Sequence, residues 1–302
     1  MREWLARGCD GRPDVIVVGA PISKASISRS QAWSTPPAFR QALARFPTWH
    51  AGLSVDIEAL GVRDAGDVEG DQHDADASAA HARIEDAVAT AAAAGTTVVV
   101  IGGDNSLTRP AFRGMARAHP DRQWGLLTLD AHHDCRPVVD RSANGTPVRE
   151  LIESGLAAER VAQVGLHPLG NAREHAAWAL NQGIHAHSVA EVRERGIEAV
   201  VAAALAQLRE CGADAIYVDL DIDVVDRAFA PACPASLPGG LAPGDLLDAA
   251  LLLGGEPDVA AVDRCEGGAL ADVAGITIRL MSASFTSVCA GLLARRRAAA
   301  PC

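Results

Sequence analysis

From Asp14 onward, short apolar runs alternate with stretches whose apolar residues recur at helical spacing, and brief polar loops separate them. Uninterrupted apolar runs of this length read as strands buried on both faces of a parallel sheet, and the amphipathic stretches as helices that cover it. The runs predict strands at Val15–Val18, Thr97–Ile101, Gly125–Leu129, Arg160–Gly165, Gly183–His187, Ala213–Leu220 and Val259–Asp263. Helices are predicted at Ala38–Phe46, Ser78–Ala94, Leu107–His119, Thr146–Ser154, Asn171–Gln182, Ile197–Cys211, Gly244–Leu253 and Asp272–Arg295. Within Ile197–Cys211, residues Ile197, Val200, Val201, Leu205 and Leu208 fall on one helical face. Ser78 is expected to cap its helix and Gly95 to end it, and the tail from Arg295 to Cys302 is expected to fray. Two loop-rich stretches, Pro21–Pro37 and Asp223–Gly240, follow predicted strands. Loops beyond the carboxyl ends of parallel strands are where such sheets build ligand sites.

Composition narrows the class. The 302 residues carry no composition break, so a single domain over 1–302 is expected. Hydrophobic residues make up 49% but aromatic ones only 4%, so Ala, Val and Leu must fill the core. The net charge of −11 argues against nucleic acid or an anionic membrane as partner, because both are bound through clustered Lys and Arg. No run approaches the roughly 20 apolar residues of a membrane span, and the N-terminus lacks a signal-peptide core, so a cytoplasmic protein is expected. Seven scattered cysteines without a C-x-x-C pair read as reduced thiols.

The chemistry concentrates where apolar runs end. Leu126–Leu129 leads into Asp130, Ala131, His132, His133 and Asp134, and a second run ends at Asp219, Leu220, Asp221, Ile222 and Asp223. If the two strands are close neighbours, Asp130, Asp134, Asp221 and Asp223 converge with His132. Two carboxylates about 4 Å apart repel by roughly 4 kcal/mol at an effective dielectric of 20, so four together require a cation. Oxygen donors with one imidazole favour Mn2+ over Mg2+ or Ca2+, and with no cysteine expected at the site zinc is disfavoured.

Three segments now carry a family resemblance: Asp130 to Asp134, Asp221 with Asp223, and the stretch Ile101-Gly-Gly-Asp-Asn105-Ser-Leu-Thr108. They resemble the metal-binding signatures of the ureohydrolases, the arginase/agmatinase/formimidoylglutamase family. The match continues through Pro110 and Gly114 in one signature, and through Pro231, Pro238, Gly239 and Gly240 in another. Val17 to Pro21, Pro36 to Arg40 and the residues Val262, Asp263, Glu266, Asp272 and Thr277 extend it over nearly the whole chain. The motifs at 130–136, 144–147 and 230–235 look most like those of formimidoylglutamases, which cleave N-formimidoyl-L-glutamate to glutamate and formamide in histidine breakdown.

The resemblance implies a three-layer α/β/α sandwich with a mainly parallel sheet of about eight strands, a homo-oligomer and a binuclear manganese cluster. Asp130 and Asp221 would bridge the ions, His132 and Asp223 would complete one, and Asp134 with residue 105 the other. Most relatives carry His at 105, whereas this chain has Asn, a neutral and poorer Mn2+ ligand, so that site is expected to be weak, water-filled or held only at high Mn2+. Asp134 would hold the nucleophile and pass its proton to the departing amine, and Glu266 would pair with the cationic amidinium. Arg136 is expected to clamp a substrate carboxylate, with Arg149 a weaker candidate; a surface salt bridge to Asp140 or Glu150 is the plain alternative. Asn144 stands where arginases use a shuttling histidine and is expected at the substrate. His133 is expected behind the site rather than on the metal, and His167 either at the rim or in packing. The other histidines at 73, 81, 119, 175, 185 and 187 are expected at the surface or in caps. Asp219 and Arg227 depart from the family pattern. The expected partner is a small amidino or guanidino acid; a urea-releasing agmatinase or guanidino-acid hydrolase, and a non-catalytic metal- or ligand-binding member, are the alternatives.

Overall fold

The computed structural model describes residues 1–95 and 97–299. The seven apolar runs and one further segment, Val62–Asp67, become the eight strands of the central sheet: β1 (Val15–Ala20), β2 (Val62–Asp67), β3 (Thr97–Gly102), β4 (Trp124–Leu129), β5 (Val161–Leu166), β6 (His185–Ser188), β7 (Ala215–Asp221) and β8 (Val259–Cys265). They form one sheet in the order β2-β1-β3-β8-β7-β4-β5-β6, with every pairing parallel. Strands β1, β3, β4, β5 and β7 are buried along their whole length, as parallel strands covered on both faces must be.

The helices are α1 (Arg2–Arg7), α2 (Thr35–Ala42), α3 (Ser78–Ala94), α4 (Thr108–Ala118), α5 (Pro147–Glu153), α6 (Arg173–Gln182), α7 (Val189–Arg195), α8 (Ile197–Glu210), α9 (Pro243–Gly255) and α10 (Ile276–Ala299). On one face Ile84, Val88, Phe112, Met115 and Leu151 pack over Ile16, Val18, Val98 and Val100. On the other, α7 to α10 cover Leu127, Leu129, Ile216, Val218 and Val262, while α1, α2 and α10 cover Val15, Val17, Val99 and Ile101. This is the expected three-layer sandwich, and its predicted helix face on α8 is the buried one.

Several boundaries differ from expectation for local reasons. β2 was not predicted, because an edge strand reading Val-Arg-Asp-Ala-Gly-Asp alternates buried and exposed positions and lacks an apolar run. α1 and α7 were too short to show a period. α2 starts at Thr35, earlier than expected, because Pro36 and Pro37 occupy its first turn, where a missing N–H costs nothing. Ser78 lies inside α3, Ala77 holds the cap position, and Asp76 accepts the Ser78 N–H at 2.8 Å. Asp272 precedes α10 and accepts from the N–H groups of Thr277 and Ile278 at 3.1 and 3.0 Å.

α10 also corrects two expectations. It continues regularly through Ala299, so the tail is helical to that point; residues 300–302 lie outside the described residues. Contrary to the sequence reading, Ile276–Ala298 is long and apolar enough to cross a membrane by length and composition, but 67% of its most apolar window is buried against the protein. Phe285 stacks edge-on against Phe39 of α2 with centroids 5.2 Å apart, placing this face of α10 in the core.

Candidate metal centre and active site

Four adjacent strands, β3, β8, β7 and β4, send their carboxyl ends to one point. β3 runs into Asn105, β8 into Glu266, β7 ends at Asp221 with Asp223 in the next turn, and β4 runs into Asp130. Residues separated by up to 161 positions thereby meet: the Asn105 N–H donates to Glu266 Oε1 at 3.0 Å. The turn after β3 needs Gly103, where a Cβ would lie 2.0 Å from the Ile22 carbonyl oxygen.

Asp130, His132 and Asp223 form one donor group, with ligand atoms within 4.8 Å of one another. His132 Nδ1 lies 2.9 Å from Asp223 Oδ2 and 3.4 Å from Asp130 Oδ1. Asp130, Asp134, Asp221, Asp223 and Glu266 are all buried. Burial, then repulsion from Asp223, pushes the Asp130 carboxyl up to about 7. Burial and the Asp130 charge raise Asp134, and burial with Asp223 and Asp130 raises Asp221. Asp223 goes the other way: burial opposes ionisation, but the His132 charge and hydrogen bond outweigh it. The Asp223 charge holds the His132 imidazolium well above its ordinary value. Carboxylates that can ionise together only against a counter-charge are the donor set a divalent cation satisfies, so these residues fit Mn2+.

Asn105 is placed with the others but turned the wrong way for a ligand. Its Nδ2 donates to Asp130 at 3.3 Å and to Asp134, while its Oδ1 accepts from Thr108 Oγ1 at 2.8 Å. Only a turn of the amide would aim oxygen at the cluster. The expected absence of cysteine is also corrected. Cys233 offers its sulfur within 4.8 Å of the Asp221 and Asp223 oxygens, and Cys265 lies 3.4 Å from Asn105 Oδ1. Burial pushes both thiols well up, which keeps them protonated.

Asp134 and Glu266 share a further property. Among the described residues only four non-glycine positions have positive φ, and these are two of them, at 49° and 63°. Backbone held in this region by its surroundings is strain of the kind that collects at working sites. Glu266 Oε1 accepts from Asn105 N and from Asn144 Nδ2, each at 3.0 Å, while its buried Oε2 has no partner. Burial, then the Asp104 charge, pushes this carboxyl up to about 8. The neighbours of Glu266 in sequence serve packing. Arg264 is buried on the opposite face and bonds Ser284, and at Gly267 a Cβ would lie 2.7 Å from Thr35 Oγ1.

A cavity of about 200 Å³ opens above these groups, lined by Asn105, His132, Asp134, Asp221, Asp223 and Glu266 on its floor. Arg136, Asn144, Ile27 and Ser28 form part of its wall. Arg136 makes no salt bridge among the described residues, so the surface-bridge alternative does not hold; Glu150 pairs instead with Arg109. Gly145 makes room for it, since a Cβ there would lie 2.8 Å from Arg136 Cδ. Arg149 lies elsewhere, stacked 4.6 Å over Trp178 and paired with Glu153.

The remaining histidines sort by contact. His133 points away from the cluster, its Nδ1 2.6 Å from Gln163 Oε1, as expected. His167 belongs to packing: it is buried, Nε2 lies 3.1 Å from the Pro238 carbonyl, and it is absent from the cavity wall. His81 and His187 are buried rather than exposed, paired with Ser106 and with Glu191 and Gln207. No periodicity could have separated these from surface histidines. Asp219 faces Asp263 across adjacent strands, where burial and that neighbouring charge raise its carboxyl. Arg227 Nη1 donates to the Cys233 carbonyl at 2.8 Å and ties down the loop beside Asp221.

Comparison with known proteins identifies the family and the fold. Residues 13–290 match the model of the arginase family. The formimidoylglutamase of Halalkalibacterium halodurans is 34% identical over 280 residues, covering 91% of this chain and 85% of that protein. The crystal structure of formimidoylglutamase from Bacillus subtilis superposes with a TM-score of 0.88 at 27% identity, covering 94% of this chain and 88% of that one. The Trypanosoma cruzi formiminoglutamase solved with Mn2+ gives 0.84 at 28% identity, covering 94% of each chain. The chain, with its eight-stranded parallel sheet and carboxylate cluster at the ends of four neighbouring strands, belongs to the arginase family.

Proposed function

We propose that this chain is an Mn2+-dependent formimidoylglutamase that hydrolyses N-formimidoyl-L-glutamate to L-glutamate and formamide, as a cytoplasmic enzyme of histidine breakdown. The observation that carries the reading is a single small cavity joining a carboxylate–imidazole floor to one guanidinium, Arg136, that has no carboxylate partner among the described residues. Similarity to formimidoylglutamases over most of the chain supports it. The same reading takes residues 1–302 as one domain and the working form as a homo-oligomer.

Asp130, His132, Asp134, Asp221 and Asp223 would hold one or two Mn2+, with Asn105 a weak contributor unless its amide turns. When bound, Mn2+ would supply the Lewis acidity that makes water nucleophilic near neutral pH. Asp134 takes the proton of the attacking water and delivers it to the departing glutamate nitrogen, a role that suits a buried carboxyl whose affinity for protons is raised. The free Glu266 Oε2 faces the cationic formimidoyl group, and Asn144 holds the other oxygen of that carboxylate. Arg136 receives a substrate carboxylate in two-point fashion. Agmatine, which has none, leaves that guanidinium unused.

The test is a panel of amidino and guanidino acids given to the Mn2+-loaded protein, with formamide and urea both measured. Formamide from formimidoylglutamate is expected. Urea from a guanidino acid instead would identify a ureohydrolase, and no turnover despite bound Mn2+ a non-catalytic member. Arg136→Ala should raise KM for formimidoylglutamate about tenfold or more with a smaller change in kcat, the loss expected for one charge-assisted contact. An unchanged KM would remove Arg136 from the substrate site.

A further inference from the structure

The cavity wall formed by Ile27 and Ser28 belongs to the loop after β1, and this loop is fastened from below by side chains that touch neither the cavity nor the cluster. Asp71, fully buried, accepts the N–H groups of Ser23 and Lys24 on one oxygen, at 2.9 and 2.6 Å. The next residue along, Ala25, donates to Asp104 Oδ2 at 3.2 Å. Asp104 is fixed in turn by Ser106, whose hydroxyl lies 2.7 Å from His81 Nε2. At Gly70 a Cβ would lie 2.2 Å from the Pro21 carbonyl oxygen, so the Asp71 turn is pressed directly onto the loop.

What the fastened loop does next is specific. The Ala25 carbonyl accepts the Asn144 N–H at 2.9 Å, and the Ile27 N–H donates to Asn144 Oδ1 at 3.0 Å. Those two bonds fix which way the Asn144 amide faces, and its Nδ2 then donates to Glu266 Oε1. A continuous set of bonds thus runs from Asp71 through Ser23–Ile27 and Asn144 to the carboxylate at the cavity floor.

We infer that Asp71 is a positioning residue: by anchoring the Ser23–Ile27 loop it sets the orientation of Asn144, and through it that of Glu266 toward the substrate. The inference rests on the proposed activity for its kinetic arm alone. A loose loop would leave Asn144 free to rotate and Glu266 without its orienting donor, weakening substrate capture more than the chemical step.

The test combines amide hydrogen exchange with kinetics on the full Mn2+-loaded chain. In Asp71→Ala the Ile27 amide, bonded to Asn144 and not to Asp71, should exchange about tenfold faster, with KM raised about tenfold and kcat within about twofold. Asp71→Asn, which keeps an oxygen acceptor, should recover most of both. In Asn144→Ala the Ile27 amide should exchange faster while Ser23 and Lys24 stay protected. The double variant Asp71→Ala/Asn144→Ala should be no worse in KM than Asn144→Ala alone, because both act on one path. Unchanged Ile27 exchange in Asp71→Ala, loss of Ser23 and Lys24 protection in Asn144→Ala, or losses that multiply in the double variant would each overturn the inference. If Asp71→Ala fails to fold, Asp71→Asn and Asn144→Ala decide it. If the wild-type chain cleaves no formimidoylglutamate, the activity fails while the exchange results still judge the anchor.

Discussion

Asp221→Ala should lose its bound metal and fall about 1000-fold or more in kcat/KM for formimidoylglutamate, roughly 4 kcal/mol of transition-state stabilisation. Asp221 sits at the end of β7 between the strands that carry Asp130 and Glu266, and repulsion from Asp223, Asp130 and Glu266 adds to burial in raising its carboxyl. Surrounded by like charge, it depends on a cation to ionise. The same crowding gives the variant a second signature. Without metal, removing one buried carboxylate relieves repulsion, so the metal-free variant should melt no lower than the metal-free parent. Damage to the fold would lower activity and melting temperature together. Metal analysis after dialysis and thermal unfolding of both chains separate these cases, and the parent itself should retain fewer than two tightly held ions because Asn105 presents nitrogen to the cluster.

The second large effect is on stability. Removing Mn2+ with a chelator should leave a protein that weakens as pH rises from about 5 to 7.5. Asp130 holds its proton in the folded chain up to about 7, against an ordinary 3.8, so the folded state binds more protons across that interval than the unfolded one. Its stabilising share is whole well below the ordinary carboxylate range and is lost as pH climbs through 7; between pH 5 and 7.5 the loss is about 2.5 kcal/mol. Asp134 and Asp221 are shifted in the same direction. Asp223 is lowered, so its own contribution grows with pH, but in the acid range below this window. A loss of that size corresponds to about 4 °C in a chain this long, and saturating Mn2+ should abolish it by neutralising the ionised cluster. Melting curves at pH 5 and 7.5, with chelator and with Mn2+, decide it: a chelated protein equally stable at both pH values would show that the cluster carries no such strain.

Much of the site was legible because its logic is topological. Asp130 and Asp221 each follow an apolar run, and parallel strands deliver their ends to one edge, so convergence required only that β4 and β7 be neighbours, as they are. Asn105 was legible as a position but not as a conformation: nothing in the sequence says that Thr108 claims its oxygen and leaves nitrogen facing Asp134. No cysteine was expected at the site, yet the loop tied down by Arg227 brings Cys233 beside the Asp221 and Asp223 carboxylates. β2 was hidden by its edge position, and His81 by its isolation in sequence from Ser106. Asp71 gave no signal at all, since an aspartate in a polar stretch looks the same whether it is solvated or caps two backbone amides inside the protein.

The central claim is that the carboxylate centre breaks the bond between the formimidoyl carbon and the glutamate nitrogen. Formimidoylglutamate labelled with 13C at the formimidoyl carbon, incubated with the Mn2+-loaded chain and followed by NMR, tests it directly. The label should pass into formamide, with unlabelled glutamate released in equal amount and the reaction abolished by Asp221→Ala. Label retained in N-formylglutamate with ammonia released, or left untouched while Mn2+ is bound, would contradict the account.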